Sequence, residues 1–217
     1  MSTAEFGPFQ ALFEPGRFEV PLYLELLNWS GRDIQTAIDL IEEALTRNDA
    51  TNWVDKLLDD ANWRPHLVAA LALVLDDGGR LDTGALWRAI DAGSWVTPQL
   101  VATAYFVDRT FPERVRERMS ALCPVVLPAG LSTIARHSAT GPSGITGRSA
   151  KMMSSLLTLA RLIPGLPSDV RQTIESPEFK ELLNWDVDRS GHIAAEWAKQ
   201  LTRHFAVRDR VLRPKCT

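Results

Sequence analysis

A chain of 217 residues, 45% hydrophobic and 24% charged, has the make-up of a soluble globular protein, which excludes global disorder. That length suits a single domain, 1–217, with a sizeable core. The net charge of −3 hides an asymmetry: residues 1–100 carry 16 Asp/Glu against 7 Lys/Arg (−9), and residues 101–217 carry 11 against 17 (+6). The acidic half makes nucleic acid a poor partner there and would suit a basic one.

The opening residues, Met1 to Phe6, hold no basic segment followed by an apolar run, so no signal peptide is expected. The longest apolar run, Leu67 to Leu75, is too short to span a bilayer, which argues against a membrane partner. Cys123 and Cys216 form neither a disulfide framework nor a metal knuckle. A reducing, cytoplasmic compartment is the expectation.

Residues 1–20 are rich in Phe, Pro and Gly and read as an irregular leader. Pro21 suits the first turn of a short helix ending at Trp29. Ser30, with Asp33 three residues on, reads as a capping box for the next helix. There Ile34, Ala37, Ile38, Ile41 and Leu45 share one face at the 3.6-residue period.

Residues 53–108 then say nearly the same thing twice. Leu57-Leu58-Asp59-Asp60-Ala61-Asn62-Trp63-Arg64-Pro65 is followed by an apolar segment, and Ala89-Ile90-Asp91-Ala92-Gly93-Ser94-Trp95-Val96-Thr97-Pro98 by another. Each copy predicts a short amphipathic helix, a Trp in the turn, and a Pro opening a helix that is apolar almost all round. The first copy runs from about Asn52 to Asp60 and then from Pro65 to the Asp76-Asp77-Gly78-Gly79 stop. The second runs from Thr83 as candidate cap to Ala92, stops at Gly93, and resumes from Pro98 to Asp108. Pro112 opens a basic helix carrying Arg114, Arg116 and Arg118.

From Pro124 to Ser149, Pro, Gly, Ser and Thr dominate; a short strand near Val125-Val126 is conceivable, and 136–149 reads as a flexible loop. Helices resume over Lys151–Leu162, Pro167–Ile174, Pro177–Trp185 and Gly191–Ala206, before a basic tail at 208–217. Glu-Leu-Leu-Asn-Trp occurs at 25–29 and again at 181–185, closing a helix each time. No segment keeps a period of two, so the fold class is all-α, with stacked antiparallel helix pairs.

Three places could carry chemistry. Gly141 to Ser149 superficially resembles a phosphate-binding loop, but the spacing is five rather than four, Arg148 stands for the Lys, and no strand precedes it. Asp186-Val187-Asp188-Arg189-Ser190-Gly191-His192-Ile193 resembles the start of an EF-hand calcium loop, with Asp186, Asp188 and Ser190 as oxygen donors. Its twelfth position is Trp197 rather than Glu, and Glu196 falls one residue early. Calcium is the sole cofactor this suggests, and an Asp-rich turn capping the last helix competes with it. His66, His137, His192 and His204 show no metal-ligand spacing. No Ser or Cys stands in a nucleophile elbow. A satisfied or rim role for His66 outweighs general-base chemistry.

The duplicated helix pair with Trp and Pro at its turn resembles HEAT-like α-helical repeat proteins, although its period of about 31 to 33 residues is shorter than theirs. Such arrays present a row of turns to a partner. Small acidic proteins of this kind resemble bacterial immunity proteins, antitoxin-like inhibitors that neutralise a cognate toxin. That resemblance implies non-catalytic protein binding, with contacts at Asp59, Asp60, Trp63, Arg64, His66, Trp95 and Gln99. A second resemblance, to HEAT-like alkylpurine DNA glycosylases, implies an enzyme with a basic groove, which acidic surroundings at Trp63 and Asp60 oppose. A calcium-responsive helical module is the third alternative.

Overall fold

The computed structural model describes residues 5–15, 20–29, 33–76, 79–126, 147–163, 168–177 and 189–205. The protein is all-α: among these residues there is no strand. Among the described residues a 3-10 helix, Gly7–Leu12, precedes ten α-helices: α1 Tyr23–Asn28, α2 Ile34–Leu45, α3 Ala50–Asp59, α4 Trp63–Leu75, α5 Gly84–Ala92, α6 Thr97–Val107, α7 Phe111–Val126, α8 Gly147–Ala160, α9 Ser168–Ile174 and α10 Ser190–Phe205. Val125 and Val126, the one place where the sequence left room for a short strand, close α7. Two β-branched residues without a partner strand would leave their backbone groups unpaired, whereas helix continuation pairs them. The loop glycines up to Thr146, the segment 178–188 with the second Glu-Leu-Leu-Asn-Trp, His137 and the tail from Ala206 lie outside the described residues. No described helix is long and apolar enough to cross a membrane.

The chain divides into two compact units, Met1–Val96 and Thr97–Thr217. In the first, α4 is the centre. Every residue from Pro65 to Leu75 is buried, and α1, α2 and α3 pack around it. Those helices are amphipathic and supply the matching faces. From α2 come Ala37, Ile38, Ile41, Ala44 and Leu45, and from α3 come Val54, Leu57 and Leu58. On its other side α3 meets α5, which buries Leu86, Trp87 and Ile90.

The ends of these helices have local causes. At the start of α2, Asp33 stands at the N-cap and its side chain makes no cap bond; Ser30 lies outside the described residues. Asn62 opens α4, its Oδ1 accepting from the Arg64 N–H at 3.2 Å. Gly93 closes α5 in the left-handed region, φ 77°, with its N–H donating to the Ala89 and Ile90 carbonyls. Asp76, its side chain almost wholly buried, accepts from Leu81 N–H at 2.7 Å and pairs with Arg80 at 3.1 Å. Arg80 in turn donates to the Leu45 carbonyl, fastening this turn to the end of α2.

The leader is ordered by Trp53. Gly7 has φ 52°, and a Cβ there would run into the Trp53 indole, so the closeness of leader and α3 requires glycine. Trp53 is fixed in turn by Nε1–H donation to Asp49 Oδ2 at 3.0 Å and by Lys56 Nζ, 4.3 Å from the ring centroid. Phe9 and Leu12 are thereby sealed from solvent.

In the second unit α6, α8 and α10 pack on one another, and α7 packs on α8. The α8–α10 contact is built from small side chains. Ser155 Oγ donates to Lys151 O at 2.8 Å and lies 3.4 Å from the Ser190 carbonyl. A Cβ on Gly191 would meet Thr158 Oγ1 and Ser154. Gly191 sits in the first turn of α10, where the absence of a Cβ allows the close approach of α8. Ser190, expected as a calcium donor, is buried; Asp186 and Asp188 lie outside the described residues.

The two copies of the duplicated segment both fold as helix–turn–helix, but their second helices have different surroundings. α4 is enclosed by α1, α2 and α3, whereas α6 packs with α8 and α10. The division between units falls inside the second copy, between Val96 and Thr97.

Two glycine substitutions test this packing. Gly191→Ala gains up to about 1 kcal/mol of helix propensity but overpacks the α8 contact, which costs about 1–3 kcal/mol. The net expectation is destabilisation in denaturant titration, partly relieved by Thr158→Ala. Gly7→Ala faces both the left-handed backbone penalty, about 1–2 kcal/mol, and the Trp53 overlap, so its unfolding midpoint falls without relief from any propensity gain.

Candidate functional site

The turns after α3 and α5 lie together in the first unit, and His66 joins them. It stands in the first turn of α4 and is the sole polar side chain in the buried run Pro65–Leu75. A buried imidazole without partners would cost on the order of 1–3 kcal/mol. Both nitrogens are satisfied. Nε2 lies 2.9 Å from the Asp60 carbonyl and Nδ1 lies 2.7 Å from Ser94 Oγ. A carbonyl can only accept, so Nε2 carries the proton, and Nδ1 accepts from the Ser94 hydroxyl. Ser94 Oγ also accepts from the Val96 N–H at 3.3 Å.

Around this clasp the aromatic rings are continuous. Trp63 and Trp95, one from each turn, have ring centroids 4.8 Å apart at 48°. Tyr23 meets Trp63 edge-on at 6.1 Å, Phe13 stacks on Tyr23 at 5.6 Å, and Phe6 stacks on Phe13 at 3.9 Å. The run therefore extends from the leader, through α1, to the second turn. Tyr23 is buried, Trp63 half-buried and Trp95 57% exposed. Arg64 lies 5.4 Å from the Trp63 ring centroid, within cation–π range.

The charged residues of the turns are largely committed to local contacts. Asp59 pairs with Arg88 of α5 through contacts of 3.2–3.3 Å, both side chains being more than half exposed. The Asp60 carboxylate accepts from the Asn62 N–H at 2.6 Å, holding the turn that presents Trp63. Asp60 and Arg64 are exposed.

Of the residues expected on a partner-facing rim, Asp59, Asp60, Trp63, Arg64 and Trp95 are brought together here. His66 and Gln99 are corrections: both are buried, at 5% and 6% exposure. They occupy equivalent places, each following the Pro of its copy. A first-turn position next to Pro faces inward when the whole helix is enclosed, so polarity alone misplaces it. Gln99 belongs to the second unit and takes no part in this cluster. Ser94 and Arg88 were missed. The available signal was that a lone His in an otherwise apolar helix needs two partners, and the polar turn residues were the nearest candidates.

Burial holds the His66 imidazole below its ordinary pKa of 6.5; the Asp60 and Leu58 carbonyls and the Asp60 and Asp59 carboxylates oppose this shift but do not overcome it. The folded protein thus binds this proton less readily than the unfolded chain does. The stability it carries is complete above about 6.5 and is lost as pH falls from there toward the lower folded value.

Thermal melts should therefore show a fall in Tm with acidification below about pH 6.5, reduced in His66→Gln, which has no proton to take up. Asn62→Ala should remove about 1 kcal/mol by uncapping α4. Asp59→Ala, which breaks an exposed ion pair, should cost under about 1 kcal/mol.

Among the described residues no three His, Cys, Asp or Glu side chains converge as metal ligands. Comparison with protein-family models, with curated proteins and with solved structures finds no match to this chain.

Proposed function

We propose that this protein is a non-catalytic protein-binding module, of the kind that HEAT-like immunity or antitoxin proteins represent, whose partner is a protein toxin with a basic surface. The observation that carries the reading is the Trp63–Trp95 ring pair, with Trp95 57% exposed at the end of a run of aromatic rings. A rigid, half-supported Trp costs little entropy to immobilise on binding and buries a large area, which is why Trp dominates binding hot spots. Isolated exposed apolar residues are ordinary on protein surfaces. This one differs in lying against a second Trp and in being flanked by charged side chains that can form the polar rim of an interface.

The partner's chemistry follows from charge. Asp60 and Asp91 stand exposed on the two turns, and the first hundred residues carry a net −9. Such a field would speed encounter with a basic protein and discourage a phosphate backbone. Arg64 and Arg88 give the rim a minority of positive charge, which would fix orientation rather than supply attraction.

Co-expression with the product of the neighbouring gene provides the test. Wild-type protein should co-purify with that product and protect the host from it. Trp95→Ala should lose at least about 2 kcal/mol of binding, a factor of roughly thirty, with little change in Tm. Capture undiminished by Trp95→Ala and by Asp60→Lys would remove these turns from the interface.

A further inference from the structure

We propose that His66 is a proton-sensitive clasp: its neutral ring holds the 60–62 and 94–96 turns in register, and protonation at Nδ1 releases the Trp63–Trp95 pair. The inference deepens the docking-surface reading and rests on it for its biological meaning, but the clasp itself is a property of the free protein.

The argument is one of donors and acceptors. Ser94 Oγ receives the Val96 N–H and donates its single proton to His66 Nδ1. The Asp60 carbonyl takes the other ring proton. The three groups are complete only while Nδ1 is a bare lone pair. Once Nδ1 is protonated, two donors face each other, N–H against O–H. The Ser94 hydroxyl must then turn its proton away from the imidazole and find a new acceptor, while its oxygen takes a third group.

The Asp59–Arg88 pair and the packing of α3 on α5 join the same region from outside. Trp95 follows Ser94 directly, and Trp63 lies one residue beyond the Asn62 cap. A change at Ser94 is therefore transmitted to Trp95 through a single peptide unit. The tilted Trp63–Trp95 contact is worth on the order of 1 kcal/mol, so a rearrangement at Ser94 is felt there.

The carboxylates acting on the ring are those of Asp60 and Asp59, at the end of α3, and both favour the protonated form. Arg64, on His66's own helix, is exposed and lies over Trp63. α1 and α2, which also pack on α4, carry Glu25 and Asp39, Glu42 and Glu43 respectively. Burial disfavours the imidazolium, and the two nearby negative charges of Asp60 and Asp59 oppose that effect in part. The surface so controlled would bind its partner at neutral pH and loosen in an acidic setting.

The experiment uses nuclear magnetic resonance on the full chain, labelled with nitrogen-15. Long-range proton–nitrogen spectra report the His66 tautomer. The indole N–H signals of Trp63 and Trp95, assigned with Trp63→Phe and Trp95→Phe, are followed from about pH 8 to about pH 5, a range that spans histidine titration. Expected are the Nε2–H tautomer at the upper end and a joint shift of both indole signals with a midpoint below 6.5, while far-ultraviolet circular dichroism holds steady. The shift should vanish in His66→Gln. In Ser94→Ala, which removes the hydroxyl without emptying the core, the Trp95 signal should already sit near its acid position at neutral pH.

An Nδ1–H tautomer would overturn the clasp, and so would an indole shift retained in His66→Gln. A wild-type Trp95 signal in Ser94→Ala, or a shift that merely tracks loss of helicity, would do the same. None of these readouts involves a partner, so failure here and failure of partner capture are separate results.

Discussion

Helix α4 constrains the first unit more than any other element. Eleven consecutive residues, Pro65 to Leu75, are buried, and a helix apolar on every side has no solvent-facing orientation to settle into. It can exist only when α1, α2 and α3 enclose it, so the amphipathic stripes of those helices are meaningful only in relation to it. Enclosure also sets the terms for polar groups. Any side chain on α4 that can form hydrogen bonds must find its partners in the flanking turns, and His66 is the one that does.

From that requirement the site follows without further design. The imidazole reaches back to the Asp60 carbonyl and across to Ser94, 28 residues further along the chain, so two turns distant in sequence are brought to one place. Trp63 and Trp95 meet because their turns meet. Tyr23, Phe13 and Phe6 extend the contact inward, giving the exposed Trp a rigid backing. An aromatic residue supported in this way is closer to a binding anchor than a solitary exposed one, because its rotamer is already chosen.

Much of the fold was legible in the sequence. The stripe Ala37, Ile38, Ile41 and Leu45 placed α2, the all-round apolarity of Leu67–Leu75 placed α4 in the core, and Gly93 marked the end of α5. These are local signals of period, capping and backbone freedom, and they need no knowledge of neighbours. The misplacements share a different cause. Ser30 and Asp33 satisfied a capping pattern, yet the helix starts after Asp33, because a motif fixes its end only when the backbone geometry agrees. His66 and Gln99 are polar and lie near turns, so they read as surface, but whether a first-turn residue faces in or out depends on how many helices surround it. Ser94 could not be paired with His66 without knowing that the two turns converge.

The placement of the unit boundary bears on how this protein could be dissected. The sequence repeat and the cooperative cores do not coincide: the repeat spans 53–108, whereas the cores close at Val96 and open at Thr97. A fragment cut to the repeat would strip α4 of α1 and α2 and leave α6 without α8 and α10. It would expose two strongly apolar helices at once and would be expected to aggregate. Resemblance between segments thus marks here a reused local solution to turning the chain, not a module that can be lifted out, counted or shuffled.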